Sequence, residues 1–486
     1  MKNKLLFISF LFGMLGFSQS TWTYSGGNGS VGPEVSKSVC TDASGNIYVT
    51  GHFSNTVDLD YGAGVANVTS AGSNDIFIAS YTSSGAYRWS MRAGNTGNEN
   101  SAAIITNGTD VYATGFYAIS AVFGSTTLTS GGASDAYLVK LNASTGAVTW
   151  AVSYGNTSAD TPHALCFDAS NNVYMTVSYS NTWSGCTSPT STGSSDFLIQ
   201  KINPSDGSCV WSTSGGSAAG GDGGTGAGIC YVPAGNKIVA STQYSGGTGV
   251  YGSFSCTNAG GNDIAILELN ANTGAFESAI GFGNSNGEAG NSCVYDASTG
   301  DVFVSGTYIG VLQVPNGGSG ISLTSAGGND IWVGRYSTAS HSFVWAKSAG
   351  GTVGDLNQES AFSIASDGTG TIAITGSCLS PTANFGSLSL SNSSGFGQIF
   401  IAGYSAGNGT EIWVNNAITS SPALQSTGRG ICTNLNSGTY WITGTFCTTT
   451  TFGAQPGITS AGFADLFNAK LLLQLLQLLQ VQQQVA

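Results

Sequence analysis

Asp42-Ala-Ser-Gly-Asn46-Ile-Tyr-Val-Thr-Gly51 decides the fold of this chain. Its second half, Ile47 to Thr50, is β-branched and aromatic, the chemistry of a strand. Its first half is a turn. Asp and Asn side chains hydrogen-bond nearby backbone, and Gly supplies a positive φ, so the turn is tight. The strand half then recurs as Asp110-Val-Tyr-Ala-Thr-Gly115, Asn172-Val-Tyr-Met-Thr-Val177, Asn236-Lys-Ile-Val-Ala-Ser241, Asp301-Val-Phe-Val-Ser-Gly306, Thr371-Ile-Ala-Ile-Thr-Gly376 and Thr439-Tyr-Trp-Ile-Thr-Gly444.

Tryptophans measure the period. Trp22, Trp89, Trp150 and Trp211 are spaced by 67, 61 and 61 residues, and Trp345 and Trp413 continue the phase. The missing mark falls on Ser278, where Thr273-Gly-Ala-Phe-Glu-Ser278 aligns with Thr145-Gly-Ala-Val-Thr-Trp150. A period this regular denotes a repeat architecture. Each unit holds four strand-like segments, in the second copy Ser101–Thr106, Asp110–Tyr117, Asp135–Asn142 and Val148–Tyr154. Seven four-stranded units predict an all-β, seven-bladed β-propeller. The last copy stops after its third strand, near Lys470, and the chain opens with an unpaired fourth strand, Thr21–Ser25. The N-terminal strand is therefore expected to complete the last blade, which removes a sheet edge.

The third segment opens with Asp75, Asp135, Asp196, Asp263, Asp330 and Asp465, with Gln398 in the sixth copy. Each is read as closing its preceding turn by accepting backbone N–H bonds. With one acid per blade these carboxylates should lie far apart, so no metal site is expected; hard cations need several oxygens within one loop. Three histidines, His52, His163 and His341, have no zinc-ligand spacing.

Composition narrows the partners. The net charge is −13 with 12 Lys plus Arg, so a phosphate backbone finds no cationic face and no nucleic-acid partner is expected. Residues 1–20 read as a signal peptide: Lys2 and Lys4, an apolar run from Leu5 to Phe17, then small residues permitting cleavage after Ser18 or Ser20. The expected domains are the signal peptide, a propeller over 21–470, and a low-complexity tail over 471–486. Such a Leu/Gln run could also come from a reading-frame change in a short nucleotide repeat. The expected location is secreted or at the outer cell surface, with no transmembrane segment in the mature chain and a monomeric state.

The string Asp-x-x-Gly-Asn-x-Tyr-Val-Thr-Gly, followed by Leu-Thr-Ser-x-Gly-Gly and by Asp-Ala-Tyr-Leu-Val-Lys, resembles the bacterial SBBP β-propeller repeat. The likeness covers essentially the whole mature chain. It implies an exported or surface protein related to those of type IX secretion. It carries over no catalytic residues, and the sorting domain frequent in such proteins is not expected in this chain.

Candidate chemistry is sparse, and no catalytic residue or cofactor is assigned. Glu99, Asp160, Glu288 and Asp355 follow the Trp strand, in the connection entering the innermost strand; Asp58, Asp60, Asp222 and Glu359 are further acids. Two such acids near the axis could flank a glycosidic bond, the chemistry of a polysaccharide-active enzyme. Phe53, Tyr117, Tyr179, Tyr244 and Tyr308 recur two residues after the Thr-Gly position, with Phe446 and Cys378 in the last two copies. Trp183 and Tyr251 stand in variable loops. Aromatic rings stack on sugar faces, so these seven aromatic residues from Phe53 to Tyr308, Trp183 and Tyr251 included, are the expected ligand-binding set; inter-blade packing is the alternative. Among the ten cysteines, Cys186 with Cys256 or Cys378 with Cys447 would join loops of neighbouring blades. The expected function is a non-enzymatic binding or adhesion scaffold for an extracellular glycan or surface protein, with the enzyme as its rival.

Overall fold

The computed structural model describes residues 19–223, 227–352, 359–392, 396–420, 425–434 and 437–474. These form a seven-bladed β-propeller with four antiparallel strands per blade. The first blade runs outward as Glu34–Thr41, Ile47–Phe53, Asp75–Tyr81 and Tyr87–Ala93. Later blades repeat that order, and the seven innermost strands touch their neighbours in a closed ring. The second and third strands of each blade are almost wholly buried, because both faces of each sheet pack on neighbouring blades.

The ring closes as the sequence predicts. Gln19–Asn28 pairs antiparallel with Asp465–Gln474 and becomes the outermost strand of the seventh blade. This pairing is longer than the sequence suggests at both ends, with Gln19 opposite Gln474 and Leu471 buried. The first four residues assigned to the tail thus belong to the sheet. Residues 1–18 and 475–486, holding most of the expected signal peptide and tail, lie outside the described residues, as does Asp355.

The repeated tryptophans staple blades together. The indoles of Trp89, Trp211 and Trp345 donate to Ala143, Ala271 and Ala406 carbonyls in the next blade. Each ring lies against a turn glycine there, Gly146, Gly274 and Gly409, all at positive φ. Where Ser278 replaces Trp, the facing turn carries His341 at φ 49° instead of glycine. A polar network fills the gap: buried Glu268 pairs with Lys237 at 2.6 Å and accepts from Tyr336 at 2.6 Å, with His341 at 2.7 Å.

A β-bulge interrupts the innermost strand of six blades. The inserted residues are Lys37, Ala102, His163, Asn291, Phe362 and Arg429. Each stands three residues after the start of its strand connection; the fourth blade's equivalent, Thr225, lies outside the described residues. The bulge explains the recurrent Thr-Gly. A Cβ on Gly51, Gly115, Gly306, Gly376 or Gly444 would sit 1.7–2.2 Å from the carbonyl oxygen just before the bulge.

One disulfide is present among the described residues, Cys186–Cys209, with Cα atoms 5.4 Å apart. This corrects the expected pairings. Cys186 bonds within its own blade, to the start of the outermost strand, and Cys256, Cys378 and Cys447 are free and buried.

Candidate functional site

The expected ligand-binding aromatics are all corrected by their burial. Phe53, Tyr117, Tyr179, Trp183, Tyr244, Tyr251 and Tyr308 are each 0% exposed. The strand-end rings point between blades, beneath the short hairpins that connect second and third strands, and join the inter-blade cores. The hydroxyls of Tyr117 and Tyr308 bond Ser153 and Ser348 at 2.7 Å, and Trp183 donates to Gln200 at 2.8 Å. A ring with no surface cannot stack on a ligand.

The acids prove to be paired across blades rather than isolated. The residue entering each innermost strand is Glu34, Glu99, Asp160, Asp222, Glu288, Glu359 or Ser426. Each donates its backbone N–H to the residue beside the preceding blade's third strand, for example Glu99 to Asn74 and Glu359 to Asn329. That contact sets Glu99 beside Asp75, Asp160 beside Asp135, Asp222 beside Asp196, Glu288 beside Asp263, Glu359 beside Asp330 and Glu34 beside Asp465. The sixth blade's member is thus Glu359, not Asp355. One glycine backbone fits between each of several pairs: a Cβ on Gly216 would lie 2.6 Å from Asp222 Oδ2 and 2.7 Å from Asp196 Oδ1.

Each carboxyl is anchored by an amide, as the sequence anticipates for the Asp residues. The Ala71 and Ala326 amides donate to Asp75 and Asp330, and those of Asn95 and Asn284 to Glu99 and Glu288. In three pairs, Asp75–Glu99, Asp263–Glu288 and Asp330–Glu359, both acids keep one buried oxygen without a donor. Burial, and secondarily the neighbouring carboxylate, pushes Glu34, Glu99, Asp160 and Glu288 up to about 7. Such a pair is stable holding one proton, because two adjacent charges in a dry site repel. At the remaining junction both acids are gone together, replaced by neutral Gln398 and Ser426, and Ile418 stands where the glycine would be. These pairs are buried between blades, and of their described members Glu288 also lines the cavity on the axis.

The open chemistry lies on the axis. A cavity of about 480 Å³ is lined by the bulge residues Lys37, Asn291, Phe362 and Arg429, with Gln243 from the end of the fourth blade's second strand and Asn262, Glu288 and Asn329 from connecting loops. A bulge re-aims a side chain, and here it turns four of them into the cavity. Burial, then Arg429, pushes Lys37 down to about 8, and burial lowers Arg429. The Arg429 guanidinium lies 5.4 Å from the Phe362 ring centroid. His52, behind them, is pushed down to about 3 by burial, then by Lys37 and Arg429, and is neutral. Sequence reading missed this set because it followed the second strand. The available signal was the slot three residues after each acid, where the repeat abandons its regularity.

No protein-family profile matches the chain, and no curated protein matches it. Solved structures resemble it only distantly. A quinohemoprotein alcohol dehydrogenase, ADHIIG, from Pseudomonas putida HK5 is 11% identical at TM-score 0.45, covering 93% of this chain and 76% of its own. BamB from Moraxella catarrhalis is 11% identical at TM-score 0.38, covering 93% and 99%. A protein of unknown function from Dyadobacter fermentans DSM 18053 is 9% identical at TM-score 0.42, covering 94% and 99%. Likeness this distant transfers no activity, cofactor or partner.

Proposed function

We propose that this chain is an exported, non-enzymatic binding scaffold of the SBBP type that takes an extracellular glycan, or a glycan-bearing surface protein, in its axial cavity. One observation carries the reading. On a frame whose packing positions repeat, the bulge slot varies in chemistry, as Lys, Ala, His, Asn, Phe and Arg, and four of these side chains line the cavity. Irregular side chains on a rigid support are where recognition resides. Asn and Gln amides around an aromatic ring suit sugar hydroxyls and a sugar face. The signal-peptide pattern of residues 1–20 supports export, and no helix among the described residues is long and apolar enough to cross a membrane.

The enzymatic alternative has one specific support, Glu288, which lines the cavity with its carboxyl pushed up to about 7 by burial. Binding is preferred because Glu288's nearest carboxyl, Asp263, is turned to it in the inter-blade pair and is not part of the cavity wall. A glycan array on the native protein and on Asn291→Trp, which fills the cavity, tests the proposal. Hits lost with Asn291→Trp are expected. Hits unchanged by it, or polysaccharide cleavage abolished by Glu288→Gln, would overturn it.

A further inference from the structure

Ten lysines and arginines fall among the described residues, and most have an assigned partner. Arg92 pairs with Asp75 at 2.8 Å, Lys140 with Asp110 at 2.9 Å, Lys201 with Asp168 at 3.5 Å, Lys237 with Glu268 at 2.6 Å and Arg335 with Asp301 at 2.7 Å. Arg88 donates to Ser80 and Lys470 to the Ser83 carbonyl. Three break this pattern: Lys347, on an outermost strand, and the two cavity residues Lys37 and Arg429. Among the described residues no carboxylate lies within ion-pair distance of either, and the Arg429 Nε is buried without an acceptor. Both sit in adjacent blades, at the same bulge slot, and line the same cavity.

This arrangement is costly. A charge removed from water needs a partner, and two like charges left beside each other repel. The chain has 25 acids against 12 cations, so counter-charges are not scarce. Among the described residues they stand beside five of the other cations and not beside these two. Neutral His52, whose Nδ1 is also buried without a partner, stands behind the pair and adds no negative charge. The two half-buried cations therefore present a positive centre to whatever enters the cavity.

We propose that Lys37 and Arg429 form an anion subsite that recognises the carboxylate of an acidic sugar residue, so that the scaffold selects uronate-containing glycan over neutral glycan. The inference rests on the proposed axial binding function and names its ligand class. Arg429 supplies a planar fork matched to a carboxylate, and Lys37 a second, compact charge. Phe362, under the guanidinium, offers an apolar face beside the charge, as a sugar ring requires. Asn291 is already committed, donating to the Ala361 carbonyl at 2.7 Å, and so fixes the wall rather than the ligand.

Calorimetric titration tests this with an oligogalacturonate, its fully methyl-esterified form and sodium sulfate, on the native protein, Lys37→Gln, Arg429→Gln and Arg429→Lys. Unchanged melting temperatures establish that the variants fold. The acidic oligomer is expected to bind at least about tenfold more tightly than the ester, a difference of about 1.4 kcal/mol. Arg429→Gln and Lys37→Gln should remove that preference, and Arg429→Lys should retain part of it. Sulfate should compete with the acidic oligomer but not with the ester. Equal affinity for acid and ester, or an acid preference that survives both Gln variants, overturns the subsite. If neutral sugars bind and Asn291→Trp abolishes that binding, axial recognition stands while the anion subsite fails. If the acidic oligomer binds Asn291→Trp as well as the native protein, the axial reading itself fails.

Discussion

Replacing Glu99 by glutamine should stabilise this protein at alkaline pH and do little at acid pH. Glu99 and Asp75 each keep one buried oxygen without a donor, and Glu99 is raised from 4.5 to about 7 by burial first and by Asp75 second, with Arg92 opposing. Tyr137, whose own hydroxyl is buried beside them without a partner, is the remaining titratable neighbour and stays neutral because burial and Glu99 push it well up. A carboxyl raised in the folded state binds its proton more tightly folded than unfolded. Its contribution is therefore intact below about pH 4.5 and is lost as pH climbs towards 7. Each tenfold in proton affinity is about 1.4 kcal/mol, so the native protein loses about 3 kcal/mol at this pair between pH 4.5 and pH 8. The substituted glutamine would have no proton to lose, and its amide could donate to the free Asp75 oxygen. The Gln398–Ser426 junction is a natural precedent for a neutral pair. Guanidinium unfolding of native and Glu99→Gln protein at pH 5 and pH 8 measures the effect. The variant's advantage should be about 2–3 kcal/mol larger at pH 8 than at pH 5. A difference independent of pH would refute the shared-proton account.

Three further outcomes follow from the packing. Trp22→Ala empties a slot 4% exposed against Phe452 in the closing blade, and should cost about 3–5 kcal/mol in denaturant unfolding; a cost below about 1 kcal/mol would contradict closure by this strand. Denatured, unreduced protein should titrate eight thiols, and ten after reduction, while reducing the 23-residue Cys186–Cys209 span should lower stability by about 3 kcal/mol; ten thiols before reduction would exclude the bond. Gly306→Ala drives a Cβ to 1.7 Å from the Ala289 carbonyl and should lower the melting temperature sharply, whereas Gly287→Ala, with nothing within 4 Å, should not.

The fold was legible because its period is written in residues that packing cannot exchange. Trp89 needs Gly146 opposite it, and Gly115 needs the bulge carbonyl beside it, so both recur. The loss of Trp at Ser278 was legible as a gap. Its compensation by Glu268, Tyr336 and His341 was not, since those residues come from strands more than 60 residues apart. The aromatic slot misled for a physical reason. A ring at the end of an inner strand has neighbouring blades on both sides, so regular recurrence marks core, not surface. Glu99, Asp160 and Glu288 do enter the innermost strands, but one-per-blade spacing hid their partners, because each pair is built from two adjacent copies. Lys37 and Arg429 sit at a bulge, and a one-residue insertion leaves no mark on a two-residue alternation.

The closing strand has a consequence for how the molecule is made. Gln19 must find Gln474, and a loop of that length costs on the order of 5 kcal/mol in chain entropy before any contact rewards it. The first strand to leave the ribosome is thus the last to find its place. Until then the third strand of the final blade, Asp465–Gln474, offers an open edge of unpaired amides. Closure of this ring is gated by the arrival of Asp465–Gln474, so any event that delays synthesis prolongs the aggregation-exposed state, whatever the stability of the finished protein.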